Sequence, residues 1–154
     1  MKKWEWLFCL LFVLTLGGCG QKSSAKIESQ LAREDAWGIV LTAKDVTSTG
    51  LTLVCSQQKK DLEGDLETGS YFSLEQKQET KWEKVEYVVP EDQVGWTLMS
   101  YLIPKGETVE WEVGWSVLYG SLPPGQYRIL KTIDRVMETG EQANAVYGAE
   151  FVIE

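Results

Sequence analysis

From Trp37 to the C-terminus, apolar and polar residues alternate with a period of two, which is the pattern of a half-buried β-strand. Gly, Pro and polar stretches interrupt the alternation at short intervals, and no long helical stripe of apolar residues is present. Short strands with frequent turn signals are typical of an antiparallel β-sandwich or barrel. The pattern predicts eight strands, at residues 37–42, 51–56, 71–74, 81–89, 96–103, 109–116, 126–133 and 147–154.

Two features favour an immunoglobulin-like sandwich of about seven to eight strands. Residues 37–154 match the size of such a domain. The turn Pro123-Pro124-Gly125 leads into Tyr127 at the start of the penultimate strand, which is the setting of a tyrosine corner, where the hydroxyl binds the upstream backbone. An ordinary tight turn followed by a buried tyrosine fits the same residues, so both interpretations stay open at this point.

The cysteines predict a sandwich without a disulfide. Cys55 alternates with Leu51 and Leu53 on one face of a strand, so we expect a buried, small apolar side chain rather than a reactive thiol. Two residues after Tyr127, where antibody domains carry their second bridging cysteine, this chain has Ile129.

The N-terminus has the pattern of an export signal. Lys2 and Lys3 precede an apolar run at residues 6–16, which is too short to span a bilayer. The segment Leu16-Gly17-Gly18-Cys19 resembles the lipobox of bacterial lipoproteins. The resemblance implies cleavage between Gly18 and Cys19 and acylation of Cys19 with diacylglycerol. An ordinary signal peptide with an accidental cysteine is the alternative.

This pattern predicts three segments. Residues 1–18 are a removed signal peptide, residues 19–36 are the lipidated cysteine and a polar, flexible tether, and residues 37–154 are the sandwich. The protein is then expected at the cell membrane, held on the extracytoplasmic face by its N-terminal lipid.

Six segments carry a resemblance to a known family, and they lie at residues 71–75, 81–85, 103–107, 113–115, 118–120 and 122–129. They are similar to a bacterial Ig-like domain family found in lipoproteins of Gram-positive anaerobes, most strongly in the second half of the chain. The resemblance covers residues 37–154 and implies a β-sandwich, export and no agreed biochemical activity, with no catalytic residues to transfer. A more distant likeness is to the small intracellular proteinase inhibitor of bacilli, which also pairs a PxGE-like turn with a PPGxY turn. The export signal departs from that protein, and no inhibitory loop matches.

Composition excludes several functions. The chain has no His, so Ser-His-Asp and Cys-His catalysis and His-ligated metals are excluded. Its formal net charge of −8 argues against nucleic acid as a partner, because phosphate binding is driven by clustered Lys and Arg. No nucleophile motif of the G-x-S-x-G type is present. We therefore predict a non-catalytic protein without a cofactor.

The remaining candidate sites are an acidic segment and two tryptophans. Carboxylates alternate from Asp61 to Glu67 around Gly64, which could bind calcium or form a solvated loop between strands, and the spacing is not that of an EF-hand. Trp82 and Trp96 have polar neighbours and are the candidate surface-binding residues, whereas we expect Trp37, Trp111 and Trp115 in the core. The chain is predicted to be a binding or accessory module for an envelope protein or cell-surface polymer, with a proteinase inhibitor and a carbohydrate-binding sandwich as alternatives.

Overall fold

The computed structural model describes residues 37–154, which form nine β-strands in two antiparallel sheets and one short helix, α1 (Ser116–Tyr119). A single 3-10 turn spans Glu91–Gln93. The predicted signal peptide, Cys19 and the tether lie outside the described residues. The strands are β1 (Ile39–Lys44), β2 (Gly50–Gln57), β3 (Asp65–Gly69), β4 (Ser73–Gln78), β5 (Lys81–Lys84), β6 (Ser100–Ile103), β7 (Thr108–Gly114), β8 (Gly125–Val136) and β9 (Gln142–Ile153).

The smaller sheet has the order β1-β2-β7 and follows the sequence alternation closely. In β2, Leu51, Leu53 and Cys55 are buried while the residues between them are partly exposed. In β7 the outward positions carry carboxylates, and Glu110 forms an ion pair with Lys44 of β1 at 2.8 Å. One face of the sheet therefore contributes to the core and the other is solvated, as the alternation predicts.

The larger sheet is organised around β8, whose one side pairs with β9 and whose other side pairs with both β4 and β3. Strand β5 then flanks β4, and β6 flanks β3. Pairing places Glu67 opposite Asp134 and Ser73 opposite Leu130. Residues 68–72 consequently face only residues 131–133, so the chain bulges between β3 and β4.

Lys131 holds this bulge from inside the sandwich. Its side chain is 6% exposed, and its Nζ donates hydrogen bonds to the carbonyl oxygens of Gly69 and Tyr71. The Thr68 hydroxyl also donates to the carbonyl of Thr132 at 2.7 Å. The two side chains donate hydrogen bonds to backbone carbonyls that have no partner in the interrupted ladder. Buried backbone groups are normally paired in this way, with side chains where no strand is available.

The core between the sheets has a tyrosine corner at one end and a polar clamp at the other. The Tyr127 hydroxyl donates to the carbonyl of Pro123 at 2.8 Å, which confirms the corner over the ordinary-turn interpretation. At the opposite end, the Gln57 amide donates to the carbonyls of Trp37 and Lys59 and accepts a hydrogen bond from the Gly106 N–H. The largest fully buried apolar side chains are Leu53, Leu66, Leu74, Ile103, Trp115, Tyr127, Ile129 and Ile133.

The antiparallel β-sandwich predicted from the alternation is confirmed, and Cys55 is buried in its core as expected. Several strand predictions were wrong in detail. The strand expected at 71–74 is β4, Ser73–Gln78, and the one expected at 147–154 begins already at Gln142. Residues 65–69, expected as part of an acidic loop, form β3, because Leu66 and Thr68 face the core while the carboxylates face outward. The strand expected at 81–89 ends at Lys84, and the one expected at 96–103 begins only at Ser100.

Candidate functional site

The two candidate tryptophans lie in different environments. Trp82, on β5, is only 9% exposed, although it is on the outer face of the larger sheet. The Arg128 guanidinium carbon lies 4.6 Å from its ring centroid, and the Lys77 amine lies 5.6 Å away. Because Trp82 is 9% exposed and the Arg128 guanidinium packs against its ring, little ring surface is accessible for a sugar to stack on. Trp82 is therefore mainly a cover over charged side chains.

Beneath Trp82 lies a buried ion pair. Arg128 Nε donates to Glu75 Oε2 at 2.5 Å, and both side chains are 4% exposed. The pair crosses from β8 to β4, where the two residues are directly opposite in the register. Trp82 excludes water from the pair, and the low local dielectric strengthens the attraction that offsets desolvation of the two charges. An open depression of about 240 Å³ beside it is lined by residues that include Lys77, Gln126 and Glu150.

Trp96 belongs to a cluster of five aromatic rings at the edge of the sandwich. It lies in the long connection 85–99 between β5 and β6 and is partly buried. Its ring makes edge contacts with Tyr71 and Phe72, each with centroids 5.2 Å apart. Phe72 contacts Tyr119 at 6.1 Å, and Tyr119 contacts Tyr87 at 4.9 Å. Burial, and secondarily the neighbouring Tyr87 hydroxyl, raise the pKa of Tyr119 above its ordinary range.

Exposed apolar side chains surround this cluster. Val117 on α1 is 77% exposed and Val88 is 64% exposed, and the Val88 N–H donates to the carbonyl of Leu118, the residue after Val117, at 2.8 Å. On the other side of Trp96, the Ser70 hydroxyl donates to the Thr97 carbonyl at 2.9 Å. We name this region the apolar flank. Its exposed members are Tyr71, Val88, Leu98, Met99, Leu102 and Val117, and they lie with the partly buried rings of Tyr87 and Trp96 and the buried rings of Phe72 and Tyr119.

Of the eight large apolar residues that are exposed within residues 37–154, six lie in the 85–99 connection, directly after it, or in a segment that contacts it, and these six are Tyr71, Val88, Leu98, Met99, Leu102 and Val117. Single apolar residues on a surface are ordinary, but contiguous patches mark interaction sites. The flank is also held in place, since the 85–99 connection bonds to β4 through the Val85 N–H and the Leu74 carbonyl at 2.9 Å. A preordered apolar surface loses little conformational entropy on binding.

The acidic segment does not gather into a metal centre. Asp65 lies 4.0 Å from the Lys105 amine, and Glu67 accepts a hydrogen bond from the Ser100 hydroxyl at 2.7 Å. Within residues 37–154, no group of three or more His, Cys, Asp or Glu side chains is arranged to hold a metal ion. The carboxylates alternate along β3 and its approach instead of converging on one point.

The comparison with protein families now adds to this geometry. The model of the bacterial Ig-like domain family matches residues 35–151. The chain belongs to the bacterial Ig-like domain family. Bacterial Ig-like domains are generally non-enzymatic, and membership indicates a non-catalytic accessory module. No curated protein and no solved structure matches this bacterial Ig-like chain. In the part of the chain that the structure describes, no helix has the length and apolar character to cross a membrane.

Sequence reasoning found Trp96 but missed most of the apolar flank. The exposed members Val88, Leu98 and Met99 stand in runs that suggest strands, and nothing in their spacing marks them as solvent-exposed. Val117 lies just beyond the strand expected at 109–116, and the structure places it in α1. The only sequence signal was the Pro90-Glu91-Asp92 break within an otherwise apolar stretch. The cleavage site at Gly18 and Cys19 lies outside the described residues and stays a prediction.

Proposed function

We propose that this protein is a lipid-anchored, extracytoplasmic binding module that contacts another protein through the apolar flank. The observation that carries the proposal is the grouping of exposed apolar side chains around Trp96 on a rigid, non-catalytic sandwich. Protein interfaces are enriched in aromatic residues and Met at their centres, and the flank has this composition. The anchor rests on the Leu16-Gly17-Gly18-Cys19 segment.

Two other functions receive less support. A carbohydrate-binding sandwich would rely on open faces of Trp82 and Trp96, but Trp82 is only 9% exposed. An inhibitor of proteinases would need a protruding extended loop, whereas the 85–99 connection is bonded to β4 and to α1. Neither of these functions accounts for the exposed apolar residues of the apolar flank, whereas binding of a protein does.

The anchor is tested by the intact mass of the protein isolated from cells. We expect a chain that begins at Cys19 and carries diacylglycerol. A Cys19→Ser variant should retain its signal peptide, as should the wild type in cells treated with an inhibitor of the lipoprotein signal peptidase. A wild-type chain whose mass is indifferent to that inhibitor would refute the anchor.

The binding face is tested by placing a photoreactive phenylalanine analogue at Leu98 in the full chain, in the cells that express it. The matched control carries the analogue at Val40, which is exposed on the smaller sheet. We expect a discrete crosslinked protein from Leu98 and none from Val40. Equal products from both positions, or none from either, would refute the apolar flank as the binding face.

A further inference from the structure

The chemistry of the partner can be inferred from the charges beside the apolar flank, and this inference rests on the proposed function. Residues 83–103, which contain most of the flank, include four carboxylates and one lysine. The carboxylates of Glu86 and Glu91 are 74% and 80% exposed. Asp92 follows in the same 3-10 turn and is also exposed. The rim of the flank is therefore acidic.

The lysine of this segment does not neutralise the rim. Lys84 Nζ lies 3.3 Å from Glu86 and 3.9 Å from Glu91, and 5.5 Å from the ring centroid of Tyr87. One cation is thus shared between two carboxylates, which leaves an excess of negative charge together with Asp92. On the far side of the flank, Glu67 stands opposite Leu102 in the register and adds a further carboxylate.

We propose that the apolar flank binds a protein surface with an apolar centre and a rim of Lys and Arg. Complementary charge around an apolar centre increases the association rate and rejects wrong partners. The same rim argues against three other occupants, because each would bring like charge: an anionic lipid bilayer, an anionic cell-surface polymer, and a second copy of this chain. Like charges juxtaposed at an interface cost free energy, and salt only partly screens them at contact distance.

The test combines the Leu98 crosslink with charge reversal in the full chain. The flank variant carries Glu91→Lys and Asp92→Lys. The matched control carries Glu138→Lys and Glu141→Lys, which make the same change of net charge at the exposed turn between β8 and β9. A fivefold to tenfold loss of affinity corresponds to two surface charges that each contribute about 0.5 to 0.7 kcal/mol.

We expect the crosslink yield from Leu98 to fall about fivefold or more in the flank variant and to stay within about twofold in the control. Mass spectrometry of the crosslinked peptide should place Lys or Arg residues around the contact on the partner. The inference is wrong if both charge variants behave alike, if the crosslinked peptide lies in an acidic surface, or if the product is a dimer of this chain, a lipid or a polymer. A specific protein crosslink that ignores the charge reversal leaves the proposed function intact, whereas loss of any specific product from Leu98 in the wild type removes both.

Discussion

Lys131 is a buried cation on the inner face of the larger sheet, and we expect its charge to make the stability of the protein depend on pH. Burial lowers the pKa of its amine from 10.5 to about 8. The amine nevertheless donates to the carbonyls of Gly69 and Tyr71, where the bulge between β3 and β4 interrupts the ladder. The hydrogen bonds of Lys131 stabilise the bulge. Burial of its amine costs desolvation free energy, and this cost applies only while the amine is charged.

The sign of the pH effect follows from the two pKa values. Below about pH 7, Lys131 is charged in both the folded and the unfolded chain, so it adds no pH dependence. Between pH 8 and pH 10.5 the unfolded chain keeps the proton and the folded chain releases it. The free energy of unfolding therefore rises with pH in this window. From pH 7 to pH 9, the contribution of Lys131 is about 1 kcal/mol.

The assay is urea unfolding at pH 7, 8 and 9, followed by tryptophan fluorescence, on the soluble chain of residues 26–154. Lys131→Met keeps an unbranched stem and removes the amine. Other groups, including the thiol of the unfolded chain, titrate in the same range, so the prediction concerns the difference between wild type and variant. The free energy of unfolding of the wild type, minus that of Lys131→Met, should increase by about 1 kcal/mol from pH 7 to pH 9.

Lys44→Met is the matched control. Lys44 is half exposed, and its hydrogen bond with Glu110 raises the pKa of its amine above 10.5. Its contribution to stability is therefore constant between pH 7 and pH 9, and is lost only at higher pH. The reasoning is refuted if the difference in free energy of unfolding between the wild type and Lys131→Met stays constant from pH 7 to pH 9. It is also refuted if the corresponding difference for Lys44→Met changes by the same amount.

Three further substitutions test the structure, each by the urea unfolding assay at pH 7. Tyr127→Phe removes the hydrogen bond to Pro123 and should lower the free energy of unfolding by about 1 kcal/mol, and no loss would contradict the corner. Glu75→Gln takes the carboxylate from the buried Arg128 and should cost about 3 kcal/mol, whereas replacing both residues by Leu should recover most of that loss; a cost below about 1 kcal/mol for the single change would mean that the pair is solvated. Gln57→Leu removes three hydrogen bonds at the end of the core and should cost about 2 kcal/mol or more, while Gln58→Leu at the exposed neighbour should cost little.

The strands that sequence predicted well are those with a long apolar alternation. In β2, Leu51, Leu53 and Cys55 all face the core, so local pattern and tertiary burial agree. The turn before Tyr127 could also be predicted from the sequence, because Pro and Gly favour a turn locally. The Tyr127 hydroxyl binds the carbonyl of Pro123, which is only four residues upstream. Features that depend on neighbours in sequence were predictable for this reason.

The features that sequence reasoning missed depend on distant neighbours. Strand β3 has only Leu66 and Thr68 as inward residues, and it is a strand because β8 and β6 supply hydrogen-bonding partners on its two sides. Trp82 has polar neighbours in sequence, yet it is buried because Arg128, on β8, lies beneath its ring. Neither the pairing of β3 nor the burial of Trp82 can be predicted from the residues that surround them in sequence.

The sequence by itself determined the class of fold, the alternation of core and solvent faces and the burial of Cys55, because each is encoded in the local alternation of the chain. It located the turn before Tyr127, and the hydrogen bond to Pro123 then decided for a tyrosine corner. The tertiary structure alone decided that the bulge beside β8 is held by a buried lysine, and that apolar residues from α1 and the 85–99 connection meet around Trp96. Both arise from contacts between segments that are far apart in sequence, and the exposure of a side chain is set by what the rest of the chain leaves uncovered.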